Sequence, residues 1–368
     1  MRTAVALSTD GPPRGTDPDP PVQRYAQGRV GLRTLPVGAG AEALRPSTSS
    51  PTTGADLITH LLRRARGALA VTIAAGALLT VSVPAHAAAA PPLTAAGAFL
   101  LDANSGATLT SKAPDTRRQM ASTTKIMTAA VVTTLPGLNL DRRVTVKQEY
   151  LDYVYREGAS SAQLKAGATP TVRQLLYAMM LPSGCDAAYA LADTFGSGST
   201  IAARKADFIA KMNAKAKALG MTNTLYDTFD GISPTGNNRT TPRDLAKLAR
   251  YAMTNTLFQT LVKTTSYSSG GTSTLGTWSN TNLLVQPRPT GYGFPGATGI
   301  KTGTGTAAGK CLVFSVTRNG KTVIGVLLND EERYADSMAL SDWALGPAAG
   351  SKAALQRSST EPVPDVRD

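Results

Sequence analysis

A serine and a lysine stand three residues apart in the stretch QMASTTKIMTA, at Ser122 and Lys125. Residues three apart share one face of a helix, so the hydroxyl and the amine can meet. The neighbours of Lys125 are mostly apolar, and burial disfavours an ammonium relative to the neutral amine that a general base requires. A helix beginning at Ser122 would also offer a backbone N–H and a positive dipole end to a developing oxyanion. The pair predicts a serine nucleophile with a lysine base, although chance surface helices carry the same spacing.

A second cluster, Ser183-Gly184-Cys185, interrupts two apolar helical stretches. Its residue types also suit an ordinary turn, because Pro-Ser-Gly is turn-forming. The cluster carries a hydroxyl and a thiol between two helices, and it therefore counts as a candidate site only in combination with the others.

A third cluster reads Lys-Thr-Gly-Thr at 301–304 and lies on a predicted strand. It offers a cation, a hydroxyl and a glycine that lets a substrate approach the backbone. The alternative is a strand with one exposed lysine.

Histidine is confined to one part of the chain. The two histidines of the chain, His60 and His86, both precede residue 88, in a segment that we expect to be removed. The remaining chain can form neither a Ser-His-Asp triad nor a histidine-containing zinc site. Acyl-transfer chemistry must use another base, and we expect neither a metal nor an organic cofactor.

Residues 61–87 have the layout of a secretory signal peptide: three arginines, an apolar stretch and small residues before Ala87. The apolar stretch is shorter than the roughly 20 residues of a membrane span, so cleavage is favoured over an uncleaved anchor. Residues 1–60 are rich in Pro, Gly and Arg and cannot bury a core. We expect them to be disordered, or to precede a true translation start near Leu57.

The predicted mature chain is basic. From Ala88 onward it has 29 Lys plus Arg against 20 Asp plus Glu, a formal charge of +9. This charge suits solubility, or peripheral association with an anionic wall polymer or with membrane headgroups. The basic residues are scattered and do not alternate with aromatic ones, so no nucleic-acid partner is expected.

The apolar patterns predict an α+β fold, with one antiparallel sheet built from both chain ends and a helical lobe inserted between them. Residues 88–346 form the predicted catalytic domain, followed by a loose tail over 347–368. The predicted elements are a hairpin over 98–111, a helix from 122, helices before and after the break at 182–184 with the second from Asp186, helices over 200–219 and 241–254, strands over 297–304, 310–317 and 321–328, and a closing helix over 332–345. Residues 139–170 are expected to form loops and short elements.

The order of the three clusters resembles the Ser-x-x-Lys, Ser-Asp-Asn and Lys-Thr-Gly signature of penicillin-binding proteins and class A β-lactamases. The stretches ASTTKIMTA, LLYAMMLPSGCDAAYALA and GIKTGT look like the low-molecular-mass serine D-alanyl-D-alanine peptidases, over residues 96–345. A cysteine at position 185, where most relatives carry Asn, is similar to a small secreted transpeptidase branch. The resemblance implies the β-lactamase/transpeptidase fold and an extracytoplasmic, cell-wall location.

By this resemblance Ser122 attacks the penultimate D-alanine of a peptidoglycan stem peptide and forms an acyl-enzyme. Lys125 takes the serine proton, and Ser183 relays a proton to the leaving amine together with Lys125 and Lys301. β-Lactams would acylate Ser122 and inhibit the enzyme. The acyl group would pass to water or to an amine acceptor peptide.

The same resemblance implies that Lys301 and Thr302 hold the terminal carboxylate of the substrate. Gly303 lies in the same substrate-binding strand, and the backbone N–H groups of Ser122 and Thr304 form the oxyanion hole.

Cys185 departs from the family pattern, because a thiol donates and accepts hydrogen bonds only weakly. We therefore expect transfer to an amine to be favoured over hydrolysis, although a small buried residue at a helix start is an equal interpretation of Cys185. A disulfide to Cys311 is not expected.

Two alternatives remain. A class A β-lactamase needs a deacylating glutamate between the second and third clusters, and no glutamate occurs between Glu157 and Glu331. A non-catalytic penicillin-binding or wall-binding module would have no need of a nucleophile with its base.

Overall fold

The computed structural model describes residues 89–269 and 275–347. The expected extension over 1–60, the signal peptide over 61–87 and the tail beyond residue 347 lie outside the described residues. Within the described ranges, no helix has both the length and the apolar character that a bilayer crossing requires.

The strands lie mainly at the two ends of the described chain, as the sequence patterns predict. They are β1 (Gly97–Asp102), β2 (Thr108–Lys112), β3 (Arg118–Gln119), β4 (Arg239–Thr240), β5 (Ser266–Ser268), β6 (Thr277–Ser279), β7 (Ala297–Gly305), β8 (Gly309–Arg318) and β9 (Lys321–Leu328).

The helices lie mostly between these two groups of strands. They are α1 (Lys125–Thr133), α2 (Gln148–Glu157), α3 (Val172–Met180), α4 (Cys185–Phe195), α5 (Ile201–Ala218), α6 (Pro242–Ala252), α7 (Thr256–Lys263) and α8 (Arg333–Leu345).

The main sheet has the strand order β2-β1-β9-β8-β7, and all its pairs are antiparallel. The first strand of the described chain thus pairs with the last, which confirms the predicted sheet from both chain ends. Asn319 and Gly320 join β8 to β9 with φ of 50° and 73°, the left-handed conformation that a tight Asn-Gly hairpin requires.

The central strands bury side chains on both faces, because helices cover both sides of the sheet. On β8, Val313 faces the core shared with α1 and α6, whereas Leu312 and Phe314 face the core shared with α8. This packing fixes the strand next to β7 and so holds the Lys-Thr-Gly-Thr segment in place.

Three local predictions need correction. Ser122 does not begin an α-helix: it lies in a 3₁₀ turn over Ala121–Thr124, and α1 starts at Lys125. Helix α4 begins at Cys185, one residue before the predicted Asp186. Residues 139–170 contain the ten-residue helix α2, in which Tyr150, Leu151, Tyr153 and Val154 recur at helical spacing and Tyr150 is fully buried, a pattern that the prediction overlooked.

Candidate active site

The Ser122 side chain is buried at the junction of the 3₁₀ turn and α1. Ser122 and Lys125 both have 0 % of their surface exposed. The tight turn keeps the two side chains on one side of the backbone, and Lys125 Nζ lies 2.6 Å from Ser122 Oγ. The contact expected from the spacing is therefore present.

Lys125 Nζ has two further partners. It lies 3.0 Å from the backbone oxygen of Asp230 and 3.2 Å from Cys185 Sγ. A neutral amine has two N–H donors and one lone pair, and a backbone carbonyl can only accept. If the Asp230 carbonyl and the Cys185 sulfur each take one N–H, the lone pair is left facing the Ser122 hydroxyl. This arrangement is that of a base ready to accept the serine proton.

Cys185 occupies the first turn of α4 and is fully buried. Its Sγ lies 3.6 Å from Ser160 Oγ, and its backbone N–H donates to the Ser160 oxygen at 2.9 Å. Burial raises the pKa of the thiol to about 12, although the nearby Lys125 opposes the shift. Cys185 is therefore a neutral thiol at physiological pH. No disulfide joins it to Cys311, and both cysteines are buried, which confirms that prediction.

Ser183 lies in the break between α3 and α4 with φ of 67° and is 1 % exposed. Its carbonyl accepts the Ser160 hydroxyl at 2.6 Å. Its own Oγ is buried and has no hydrogen-bond partner among the described residues. Ser183 thus lies directly before Cys185 and α4, and its hydroxyl forms no hydrogen bond with Lys125 or Ser122.

The strand β7 runs beside the nucleophile. A Cβ on Gly303 would lie 3.0 Å from the Met120 carbonyl oxygen and 3.1 Å from the backbone nitrogen of Ser122, so a side chain here would crowd the turn that carries the nucleophile. Lys301 is 1 % exposed and Thr302 is 4 % exposed, and Thr302 Oγ1 lies 2.8 Å from the hydroxyl of Thr281. Strand β7 and the turn over Ala121–Thr124 therefore form two adjacent walls of the site, and Lys301 lies on the strand.

Arg333, at the start of α8, is a residue beside the site that the sequence motifs did not indicate. This buried guanidinium donates to the Gly303 carbonyl and to Thr304 Oγ1, each at 3.1 Å. These two hydrogen bonds hold the end of the Lys-Thr-Gly-Thr segment in place. Asp230 and Gly231 were also missed, and the only sequence signal for them is a turn-like Asp-Gly pair.

A cavity of about 590 Å³ adjoins the site. Its lining includes Ala121, next to the nucleophile, Gly231, and Gly305 after the Lys-Thr-Gly-Thr segment. This volume lies within the usual range for a pocket that binds a small organic ligand. The cavity therefore borders the turn that carries Ser122, although Ser122 itself does not line it.

A buried serine paired with a lysine base, beside a glycine-containing strand of an antiparallel sheet with helices on both faces, defines a serine acyl-transfer enzyme of the penicillin-binding class. The family model for D-alanyl-D-alanine carboxypeptidase matches residues 84–332. The chain therefore belongs to this peptidase family, and its activity is that of a serine D-Ala-D-Ala carboxypeptidase/transpeptidase.

Individual relatives agree with this assignment. The chain is 50 % identical over 275 residues to the D-alanyl-D-alanine carboxypeptidase of Streptomyces sp. strain K15, covering 72 % of this chain and 92 % of that protein. It is 32 % identical over 260 residues to the D-alanyl-D-alanine carboxypeptidase DacB2 of Mycobacterium tuberculosis, covering 68 % of this chain and 83 % of DacB2. The crystal structure of the Streptomyces K15 DD-transpeptidase matches with a TM-score of 0.66 and 48 % identity, over 70 % of this chain and all of that one. These likenesses confirm the predicted fold class.

Proposed function

We propose that this enzyme cleaves the D-Ala-D-Ala bond of peptidoglycan stem peptides through an acyl-enzyme on Ser122, with Lys125 as general base. The observation that carries the proposal is the 2.6 Å contact between Lys125 Nζ and Ser122 Oγ in a water-excluded position. The Asp230 carbonyl and Cys185 Sγ also lie within hydrogen-bond distance of the amine, and if both accept from a neutral amine, its lone pair is left for the serine. Neither a non-catalytic module nor a wall-binding module requires this arrangement.

In the proposed acylation step, one proton moves from Ser122 to the leaving D-alanine. Lys125 takes the Ser122 proton while Oγ forms a bond to the penultimate D-alanine carbonyl carbon. The oxyanion is stabilised by the backbone N–H groups of Ser122 and Thr304. The proton then passes to the nitrogen of the terminal D-alanine, the C–N bond breaks, and D-alanine leaves as a neutral amine. Ser183, whose buried hydroxyl has no hydrogen-bond partner in the described chain, would carry this proton.

Lys301 and Thr302 would hold the terminal carboxylate of the substrate. Both side chains are nearly buried on the strand that borders the nucleophile, where a cation strengthens a carboxylate contact. The remainder of the peptide would continue past Thr304 toward the cavity lined by Gly305 and Ala121.

We further propose that the acyl-enzyme prefers an amine acceptor to water. Hydrolysis needs a base that orients a water molecule, and the Cys185 thiol beside Lys125 hydrogen-bonds only weakly. The neutral state of this buried thiol supports that argument.

The test is a diacyl-L-Lys-D-Ala-D-Ala peptide incubated with the enzyme, with and without a glycine-like amine, both products being quantified by mass spectrometry. We expect release of D-alanine that depends on the acceptor. Equal release without an acceptor would make hydrolysis the main reaction, and release in neither tube would refute the proposed activity.

We also propose that the enzyme acts outside the cytoplasm after cleavage of the chain behind Ala87, at the end of the signal peptide over 61–87. The charge layout of that segment supports this, and no helix of the described ranges is suited to span a membrane. N-terminal sequencing of the exported protein should give a start at Ala88, and a retained leader would contradict it.

A further inference from the structure

The residues 229–231 cross the N-terminal part of α1 and touch it at three points. Thr128 donates its hydroxyl to the Phe229 carbonyl, and Lys125 Nζ donates to the Asp230 carbonyl at 3.0 Å. At Gly231 the backbone lies so close to Ala121 that a Cβ would be 2.1 Å from the Ala121 oxygen. The segment is therefore fixed against both the nucleophile turn and its lysine.

The side chain of Asp230 is fully buried and has its own partners. Its Oδ2 accepts the Tyr153 hydroxyl at 2.8 Å, and its Oδ1 accepts the Ile232 N–H at 3.1 Å. A buried carboxyl without such partners would be costly, so these two bonds determine where the residue sits. Burial also raises the pKa of the Asp230 carboxyl, although Lys125 opposes the shift.

Tyr153 is itself held in place by aromatic neighbours. Its ring meets the Tyr189 ring edge-on, with centroids 5.3 Å apart, and lies 5.9 Å from the Phe229 ring. Tyr153 belongs to α2, Tyr189 to α4, and Phe229 to the segment that touches Lys125. The hydroxyl of Tyr153 thus connects the helical lobe to the residue whose carbonyl binds the lysine.

We propose that Asp230 and Tyr153 form a positioning pair for Lys125: the Tyr153 hydroxyl anchors the Asp230 side chain, and the anchored residue presents the carbonyl that turns the lysine lone pair toward Ser122. The inference rests on the proposed role of Lys125 as base. Neither residue contacts the reacting atoms, and both act through the lysine.

The chain contains a matched control for this pair. Tyr150, on the same helix α2, donates its hydroxyl to Asp193 Oδ2 on α4 at 2.5 Å. Asp193 is also buried, and it binds Lys147 and Arg204 rather than the catalytic lysine. Tyr150→Phe and Tyr153→Phe therefore remove the same bond from the same helix, and only one of these bonds leads to Lys125.

The experiment measures acylation of the whole exported chain by a fluorescent penicillin, separating the limiting acylation rate from the dissociation constant of the initial complex. We expect Tyr153→Phe to lower the limiting rate about tenfold, the effect of losing one well-formed hydrogen bond, with little change in the dissociation constant. Both tyrosine variants should lower the melting temperature by similar amounts, because each loses one hydrogen bond. Tyr150→Phe should nevertheless leave the limiting rate within about twofold of wild type.

Substitutions of Asp230 provide a second pair of variants for the same rate measurement. Asp230→Ala should lower the limiting rate about a hundredfold, because a small displacement of a catalytic group has effects of that order. Asp230→Asn keeps one oxygen for the Tyr153 hydroxyl but places an amide NH2 against the Ile232 N–H, so it should recover part of that loss.

Equal limiting rates in Tyr153→Phe and wild type, or equal losses in the two tyrosine variants, would overturn the proposal. No recovery in Asp230→Asn would also overturn it. Failure of the proposed function is distinguishable, since the wild-type protein would then not be acylated at all.

Discussion

Lys125 Nζ lies 2.6 Å from Ser122 Oγ, and neither side chain reaches solvent. The two residues are adjacent because a 3₁₀ turn runs directly into α1 between them. Burial keeps water from competing for the serine proton, and it also makes every remaining partner of the lysine important.

Removing the lysine amine should stop catalysis without unfolding the protein. Lys125→Met keeps most of the side-chain volume in a buried site and should lower penicillin acylation roughly a thousandfold, within the usual range for a lost general base. The control Lys217→Met replaces an exposed lysine near the end of α5 and should acylate normally. Stopped-flow fluorescence measures both, and a loss below tenfold in Lys125→Met would contradict the assignment of the base.

The thiol of Cys185 should matter as an acceptor for the lysine. Cys185→Ala leaves a buried N–H of Lys125 without its second partner, a cost of about 1–3 kcal/mol, so acylation should fall at least severalfold. Cys185→Ser retains an acceptor and should acylate faster than the alanine variant. The control is Cys311→Ala, in the other buried cysteine. Equal rates for the serine and alanine variants at position 185 would show that the acceptor role is wrong.

Gly231 should tolerate no side chain. Its φ is +107°, and a Cβ would lie 2.1 Å from the Ala121 oxygen and 2.9 Å from the Ser122 nitrogen. Gly231→Ala must therefore displace the nucleophile, and we expect acylation to fall about a hundredfold.

The control for that substitution is Gly220→Ala, at another positive φ of +67° but with open space around the Cβ position. It should cost roughly 1–2 kcal/mol of stability from backbone strain alone and leave acylation unchanged. Similar acylation rates in the two alanine variants would show that the close contact at Gly231 has no role in placing Ser122.

Much of the fold follows from the sequence because its signals are local. The Asn-Gly turn at 319–320 fixes the hairpin of β8 and β9, and Thr241 caps α6 by accepting the Asp244 N–H at 3.2 Å. Helix α2 was missed because the surrounding residues 139–170 are rich in charge and turn formers, which outweighed the short apolar run at Tyr150, Leu151, Tyr153 and Val154. A helical pattern of only ten residues is easily mistaken for a loop when its flanks are polar.

The candidate site also contains contacts that the sequence predicts and contacts that it does not. Ser122 and Lys125 are three residues apart, so their contact can be predicted from helical geometry. Asp230 lies 105 residues from Lys125 and supplies a backbone carbonyl, a group that every residue has. Arg333 reaches Thr304 across the sheet by a long side chain. Neither residue type nor spacing indicates such partners.

A buried pair of acids should make stability depend on pH. Thr94 Oγ1 lies between them, 2.5 Å from Asp330 Oδ1 and 3.1 Å from Asp336 Oδ2. Burial, together with the nearby Asp336 carboxylate, raises the pKa of Asp330 to about 6. The folded protein therefore keeps a proton on Asp330 that the unfolded chain releases near pH 4. This difference stabilises the folded state at low pH, and the stabilisation is lost as the pH rises from about 4 to 6.

Urea unfolding at pH 5 and pH 7 measures this effect. Asp330→Asn, which cannot ionise, should lose less stability than wild type between these two pH values, by an amount on the order of 1 kcal/mol. The control Asp115→Asn removes an exposed acid whose pKa is lowered by its bond to Arg243, so it should retain the wild-type pH dependence over this range. An unchanged slope in Asp330→Asn would contradict the burial argument.

The central claim is that Ser122 carries the acyl group. The most direct measurement is the intact mass of the protein after a short incubation with a penicillin, followed by peptide mapping of the adduct. We expect one penicilloyl group per chain on the peptide that contains Ser122, and no adduct in Ser122→Ala under the same conditions. An adduct on another residue, or an equal yield in Ser122→Ala, would contradict it.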